Sequence, residues 1–172
     1  MVKVRLYLVR HGKTMFNTIG RAQGWSDTPL TAEGERGIQE LGIGLRESGL
    51  QFERAYSSDS GRTIQTMGII LEELDLQGKI PYRMDKRIRE WCFGSFDGAY
   101  DGDLFMGIIP RIFNVDHVHQ LSYAELAEGL VEVDTAGWAE GWEKLSGRIK
   151  EGFEAIAKEM EEQGGGNALV VS

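Results

Sequence analysis

The 172-residue sequence predicts an α/β protein, a three-layer α/β/α sandwich built on a mostly parallel central sheet. Two observations carry that prediction. Strand-like runs alternate with segments of helical period, in the order strand, helix, strand, helix, and the sequence closes on a helix and a strand. The opening run Leu6-Tyr-Leu-Val9 is solidly apolar between Arg5 and Arg10, as a strand covered on both faces must be.

Residues 2–9 make the first strand. Gly12 frees the backbone where it stops, so Arg10 and His11 stand at the strand's C-terminal end, where open α/β sheets place ligands. Residues 12–30 show little periodicity and hold Asn17, Arg21, Gln23, Gly24, Trp25, Asp27 and Pro29; ordered loops of that length commonly serve function. Thr31 caps a helix that runs to about Ser48 with Ile38, Leu41 and Leu45 as its apolar stripe, and Gly49 stops it. A strand within 50–57 ends at Tyr56-Ser57, and Ser58-Asp59-Ser60 turns the chain into a second helix from Gly61 to about Leu74. Ile64, Met67, Leu71 and Leu74 should face inward there. Ile80–Met84 reads as a short edge strand, because Pro81 cannot donate to a ladder.

Residues 88–98 fit neither helix nor strand. Helical pieces around 104–113 and 123–130, broken by Gly107, Pro110 and Gly129, make 99–137 a helical insertion or lid within a single domain spanning 1–172. A long helix over 137–162 carries Trp138, Trp142, Leu145, Ile149, Phe153, Ile156 and Met160 as one core-facing stripe. Gly164-Gly-Gly166 ends it, and Asn167–Ser172 is a Val-rich strand entering a ligand site. A central strand in last place lacks the covering element that normally follows, so the sandwich is expected with its C-terminal part missing.

Composition is that of an ordinary globular chain, 41% hydrophobic and 27% charged. A net charge of -8 argues against nucleic acid and against anionic membrane surfaces, although a few converging arginines can still bind phosphate in an acidic protein. One cysteine, Cys92, excludes an internal disulfide framework and a Cys-rich metal site. Lys3 and Arg5 lead directly into a strand with no leader-like apolar core, which reads as mature cytoplasmic sequence. No apolar run approaches the ~18 residues of a spanning helix.

Arg10 and Arg62 each follow a strand end, Arg62 in the first turn of a helix behind Ser58 and Ser60. Rigid guanidinium forks beside a helix N-terminus suit a phosphate, and pairing with surface carboxylates is the other reading. His117 and His119 could face together only on a strand, and they read as solvated lid residues instead of metal ligands. Glu90, beside Trp91, is either a partly desolvated carboxyl fit for general-acid work or a surface glutamate paired with Arg87 or Arg89.

Taken in order, these residues resemble the histidine phosphatase superfamily, the phosphoglycerate mutase-like proteins. Arg10-His11-Gly12 with Asn17 is similar to that family's opening, and Arg21-Ala-Gln-Gly24, Asp27, Pro29-Leu-Thr31 and Gly34 to its continuation. Tyr56-Ser-Ser58 with Arg62-Thr63, Gln65 and Thr66 resembles the second block. Arg89-Glu90, Phe93-Gly94 and Asp97-Gly98 resemble the block that holds the acid. The resemblance runs from residue 4 to 98 and resumes at Ala168–Ser172.

It implies a phosphohistidine on His11, with Arg10 and Arg62 holding the non-bridging oxygens and Glu90 as the proton donor and acceptor. Asn17, Arg21, Gln23 and Gly24 would bind substrate, with no metal and no cofactor. The family places a second pocket histidine directly after a strand like Ala168–Ser172, and the sequence reaches only to the residue before it. A fragment of a longer enzyme is therefore expected, and loss of one such phosphate contact costs on the order of 3 kcal/mol. Thr14, Arg21, Gln23-Gly24 and Pro29-Leu-Thr31, with a modest insertion, favour the phosphatase branch over the glycolytic mutases. The expected activity is histidine acid phosphatase-like hydrolysis of a small phosphorylated metabolite. The alternatives are mutase-type phosphotransfer, or non-catalytic phosphate binding without the second histidine. Monomer and homodimer both fit the sequence.

Overall fold

The computed structural model describes residues 2–172. The chain divides into two compact units. One contains the N-terminal segment to Met15, Thr28–Arg89 and Ile149–Ser172; the other contains Phe16–Asp27 and Glu90–Arg148.

Among the described residues of the first unit, β1 (Val4–Val9), β2 (Arg54–Ser57), β3 (Tyr82–Met84) and β4 (Gly166–Val171) form one sheet in the order β1-β4-β2-β3. Every pairing is parallel. The period of two along each strand divides its side chains between two cores. Leu169 and Val171 pack with Ile38 of α2 (Ala32–Glu47) and with Met67, Ile70 and Leu71 of α3 (Gly61–Glu73). Ala168 and Val170 pack with Phe153, Ile156 and Met160 of α6 (Trp142–Glu162). Helix, sheet, helix: the three-layer sandwich is the one expected.

The last strand corrects one expectation. β4 lies between β1 and β2, and Ala168–Val171 are at most 1% exposed. Its cover on both faces comes from helices that precede it in sequence. β3 takes the sheet edge, as Pro81 required.

Local chemistry explains the helix starts. Thr31 Oγ1 accepts the Gly34 N–H at 3.0 Å and caps α2. In α3 the buried face centres on Thr63, Met67 and Ile70. Ile64, about 100° round from Thr63, falls outside that face and is exposed, and Ile70 takes the inward place expected of it.

The second unit holds most of a short α1 (Met15–Ile19), a π-helical stretch Gly102–Ile108 that continues into α4 (Ile109–Phe113), and α5 (Tyr123–Val133). Ser122 and Glu125 close a reciprocal cap on α5, at 3.2 Å and 2.8 Å. The whole of 99–137 lies in this unit.

α6 starts five residues later than its periodicity suggests. The Asp134 carboxylate gathers the N–H groups of Ser95, Ala136, Trp138 and Ala139 at 2.6–2.9 Å, and Gly137 turns the chain at φ +69°. Amides committed to a side chain are not available to a helix. Glu128 Oε1 then accepts the Trp142 N–H at 2.9 Å, and the helix begins. Trp138 and Trp142 are therefore not core residues: they are 70% and 41% exposed, whereas Leu145, Ile156 and Met160 are buried. Among the described residues no helix is long and apolar enough to cross a membrane.

Burial pushes the Asp134 carboxyl upward, but the Ala139 and Ser95 amides, the Ser95 hydroxyl and the Ala136 amide outweigh it and hold the group well below its ordinary 3.8. A depressed folded value means that this stabilisation is complete above the unfolded value, about 3.9, and is lost as pH falls through the folded one. Asp134→Asn should lower stability at neutral pH by about 2 kcal/mol. It should also flatten the loss of stability below about pH 4, and urea titrations across that range check both.

Candidate active site

Parallel strands all end on one edge of the sheet, and the first unit uses that edge. His11 follows β1, Ser58 follows β2 and Ser172 follows β4. The His11 N–H donates to the Ser172 carbonyl at 3.1 Å, and the Ser58 N–H donates to the Val171 carbonyl at 3.1 Å. Ser172 Oγ donates to the Ile88 carbonyl at 2.6 Å. The ends of three strands are thus tied together through main-chain bonds.

The imidazole of His11 is half-buried, and its Nδ1 lies 2.8 Å from the Gly12 carbonyl. A carbonyl can only accept, so Nδ1 carries a hydrogen, and the neutral tautomer with this contact has its lone pair on Nε2. Gly12 is held in turn: its N–H donates to Thr66 Oγ1 at 3.0 Å, and Thr66 Oγ1 donates to the Arg62 carbonyl at 2.8 Å. A Cβ at Gly12 would stand 2.9 Å from Ile38 Cγ1 and 3.0 Å from the Gly34 carbonyl oxygen, so only glycine fits. Thr66 therefore joins the histidine's strand end to the helix that carries Arg62. The Arg62 side chain is 1% exposed, and Arg10 is exposed. Thr66 lies one turn beyond Arg62, in the same motif block, and the sequence offers no sign that its hydroxyl holds Gly12.

In the first unit Arg89 forks onto Asp59, with Nη2 to Oδ2 at 2.6 Å, and that pairing holds the Asp59 carboxyl below its ordinary value. Arg87 pairs with Asp85 and Glu151. Two arginines considered as partners for Glu90 are thereby committed to carboxylates of the first unit.

The second unit carries the other candidates. Glu90 is exposed, and its Oε1 accepts the Trp91 N–H at 2.7 Å. The Trp91 indole points elsewhere, donating to the Glu140 carbonyl at 2.8 Å. The expectation that the aromatic ring desolvates the Glu90 carboxyl is corrected: Trp91 is buried with its indole N–H on Glu140, while Glu90 is exposed. Arg21 lays its guanidinium over the Tyr100 ring at 4.0 Å and donates to the Gly98 carbonyl. The Gly24 N–H donates to Asp97 Oδ1 at 2.8 Å, and the Trp25 and Ser26 amides also reach that carboxylate. A Cβ on Gly24 would come within 2.2 Å of the Trp91 carbonyl oxygen. Gln23 is half-buried, and Asn17 is exposed on α1. His117 caps the helical turn Val118–Gln120 and His119 lies within it, so neither is on a strand. His119 helps line a cavity of about 530 Å³ with Phe105, Met106 and Tyr123.

Residues 6–172 match the family model of the histidine phosphatase superfamily, branch 1. The chain belongs to that superfamily. The chain is 35% identical over 95 residues to the 2,3-bisphosphoglycerate-dependent phosphoglycerate mutase of Treponema pallidum, a match covering 55% of this chain and 38% of that protein. The crystal structure of a phosphoglycerate mutase from Bacillus anthracis superposes with a TM-score of 0.90 at 37% identity, covering 99% of this chain and 75% of that one. The α-ribazole phosphatase of Shigella flexneri gives 0.70 at 25% identity over 97% and 72% of the two chains. The chain thus spans well under two thirds of the length of the Treponema relative.

Within the superfamily these findings overturn the expected phosphatase branch and its acid-phosphatase label. The named relatives in sequence are mutases, as is the structure at 0.90. The loop residues used to favour the phosphatases, Thr14 and Pro29-Leu-Thr31 among them, serve the fold. Thr14 is buried and bridges to Leu30, and the Thr31 N–H donates to the Lys13 carbonyl. Such packing roles cannot distinguish one chemistry from another.

Thr66→Val keeps the volume but leaves the Gly12 N–H without its acceptor. The expected cost is about 2 kcal/mol of stability, read by urea unfolding.

Proposed function

We propose that the chain transfers a phosphoryl group through a phosphohistidine on His11 Nε2, between hydroxyl positions of a small phosphorylated hydroxy acid, in the manner of a phosphoglycerate mutase. The observation that carries the chemistry is the Nδ1–H of His11 held by the Gly12 carbonyl, which leaves Nε2 as the nucleophilic atom. The names and similarity of the relatives support the mutase reading.

In the first step the Nε2–P bond forms in line as the ester P–O bond breaks, and Glu90 gives its proton to the departing alkoxide. In the second an acceptor hydroxyl returns a proton to Glu90 and takes the phosphoryl group, and the N–P bond breaks. Arg10 and Arg62 carry the positive charge that the three equatorial oxygens require. Buried Arg62 acts there in a weaker dielectric than exposed Arg10, so its loss should weigh more. Asn17, Arg21, Gln23 and Gly24 are proposed on the substrate side, Arg21 through the loop it fixes against Tyr100.

The test supplies 3-phosphoglycerate with a trace of 2,3-bisphosphoglycerate and separates the products. Formation of 2-phosphoglycerate in excess over inorganic phosphate supports the mutase. Inorganic phosphate alone means a hydrolase, and phosphate binding without label or turnover means a binding protein. Labelled phosphoenzyme, stable in alkali and lost in acid, should be absent from His11→Ala. Arg62→Met should slow transfer by about a hundredfold or more, and Glu90→Gln by about a hundredfold.

A further inference from the structure

The loop that carries Glu90 has no regular secondary structure, and side chains from distant parts of the second unit hold it. The Glu90 carbonyl accepts two side-chain donors, Arg148 Nη2 at 2.8 Å and Trp25 Nε1 at 3.0 Å. Behind it, the Cys92 N–H donates to Glu140 Oε2 at 3.1 Å, the Glu140 N–H donates to the Cys92 carbonyl at 3.1 Å, and Trp91 Nε1 donates to the Glu140 carbonyl at 2.8 Å. Glu140 is fully buried. Both of its carboxylate oxygens take Arg148, Oε1 from Nε at 2.7 Å and Oε2 from Nη2 at 2.5 Å. Arg148 also lies 6.0 Å from the centre of the Trp25 ring.

We propose that Glu140, Arg148 and Trp25 are positioning residues for Glu90, a clamp that fixes its main chain so that its carboxyl serves as the proton donor. This rests on the phosphohistidine reading above and extends it to residues that touch no substrate. A buried ion pair is a poor source of net stability, since an apolar pair of similar volume does as well or better. What a two-point guanidinium–carboxylate fork supplies is direction. Here the same Nη2 that is fixed by Glu140 also donates to the Glu90 carbonyl.

Trp25 adds a second link. It follows Gly24 in the loop whose amides converge on Asp97, and its indole N–H ends on the Glu90 carbonyl. Gly24 is pressed to the Trp91 carbonyl, where no Cβ would fit. The loop of Gln23 and Gly24 and the loop of Glu90 are therefore set by one clamp and should shift together.

A positioning role differs from a structural one in its dependence on the leaving group. An alkyl phosphate needs a proton on its departing oxygen; p-nitrophenyl phosphate, whose phenolate leaves unaided, does not. Phosphorylation of His11 should be measured by rapid quench with both substrates in Arg148→Lys, Arg148→Met, Glu140→Gln and Trp25→Phe. The fork is lost in Arg148→Lys, and Trp25→Phe removes only the N–H. The expected result is a fall of about 30-fold with 3-phosphoglycerate for the Arg148 and Glu140 variants, about fivefold for Trp25→Phe, and under threefold with p-nitrophenyl phosphate. The pH profile for 3-phosphoglycerate should lose its acid-dependent limb in step.

Equal loss with both substrates, or no loss with either, overturns the clamp. Should a single variant fail to fold, the Glu140→Met/Arg148→Met double variant leaves no buried charge unpaired, and with Trp25→Phe it decides the question on the same criterion. Glu90→Gln is the control. If it too spares 3-phosphoglycerate, the acid assigned under the proposed function fails, and the clamp fails with it. If only Glu90→Gln shows the leaving-group signature, the clamp alone is wrong.

Discussion

Parallel pairing of β4 between β1 and β2 is the constraint on which the rest of the structure depends. Because neighbouring strands run the same way, their C-terminal ends reach one edge together, and the loops that leave them are bonded there through main-chain groups. His11, Ser58 and Ser172 are joined in this way without any side chain taking part. An antiparallel partner would have sent one of those ends to the opposite edge. The two helical layers then bury β4 on both faces, so a shift of one residue in its register would exchange the contents of the two cores.

On that edge the chemistry is set by short polar contacts. A single carbonyl fixes the Nδ1 side of the His11 ring, and a single threonine hydroxyl ties the histidine's strand end to the turn of α3 that carries Arg62. Neither is expensive in sequence: one glycine and one threonine. In the second unit the same economy appears with carboxylates. Asp97 gathers the amides of Gly24, Trp25 and Ser26, Asp134 those around Gly137, and Glu140 secures the loop at Cys92. Each replaces the ladder bonds that an irregular segment cannot make for itself. The acidic composition is thus partly structural, with at least three of the carboxylates organising loops.

The motif blocks carry the superfamily, but the same residues do not carry the branch. Thr14 and the Pro29-Leu-Thr31 segment were legible as a pattern, yet their contacts are with the fold's own backbone. Residues used for packing are shared by relatives whose named activities differ. Discrimination between transfer to a sugar-acid hydroxyl and transfer to water depends on the walls around the acceptor, which no short motif encodes.

The sequence by itself determined the alternation of strands and helices, the edge place of β3 and the Thr31 cap. These are readable because propensity, period and capping act over a few neighbouring residues. Tertiary structure decided the rest. It turned Trp138 and Trp142 outward when Asp134 claimed the amides of a would-be helical turn, pointed the Trp91 indole away from Glu90 toward Glu140, and covered the last strand with helices that come before it. Glu140 lies 48 residues from Cys92, and Arg148 lies 58 from Glu90. Contacts over such separations are selected by the packing of whole elements, and no local pattern records them.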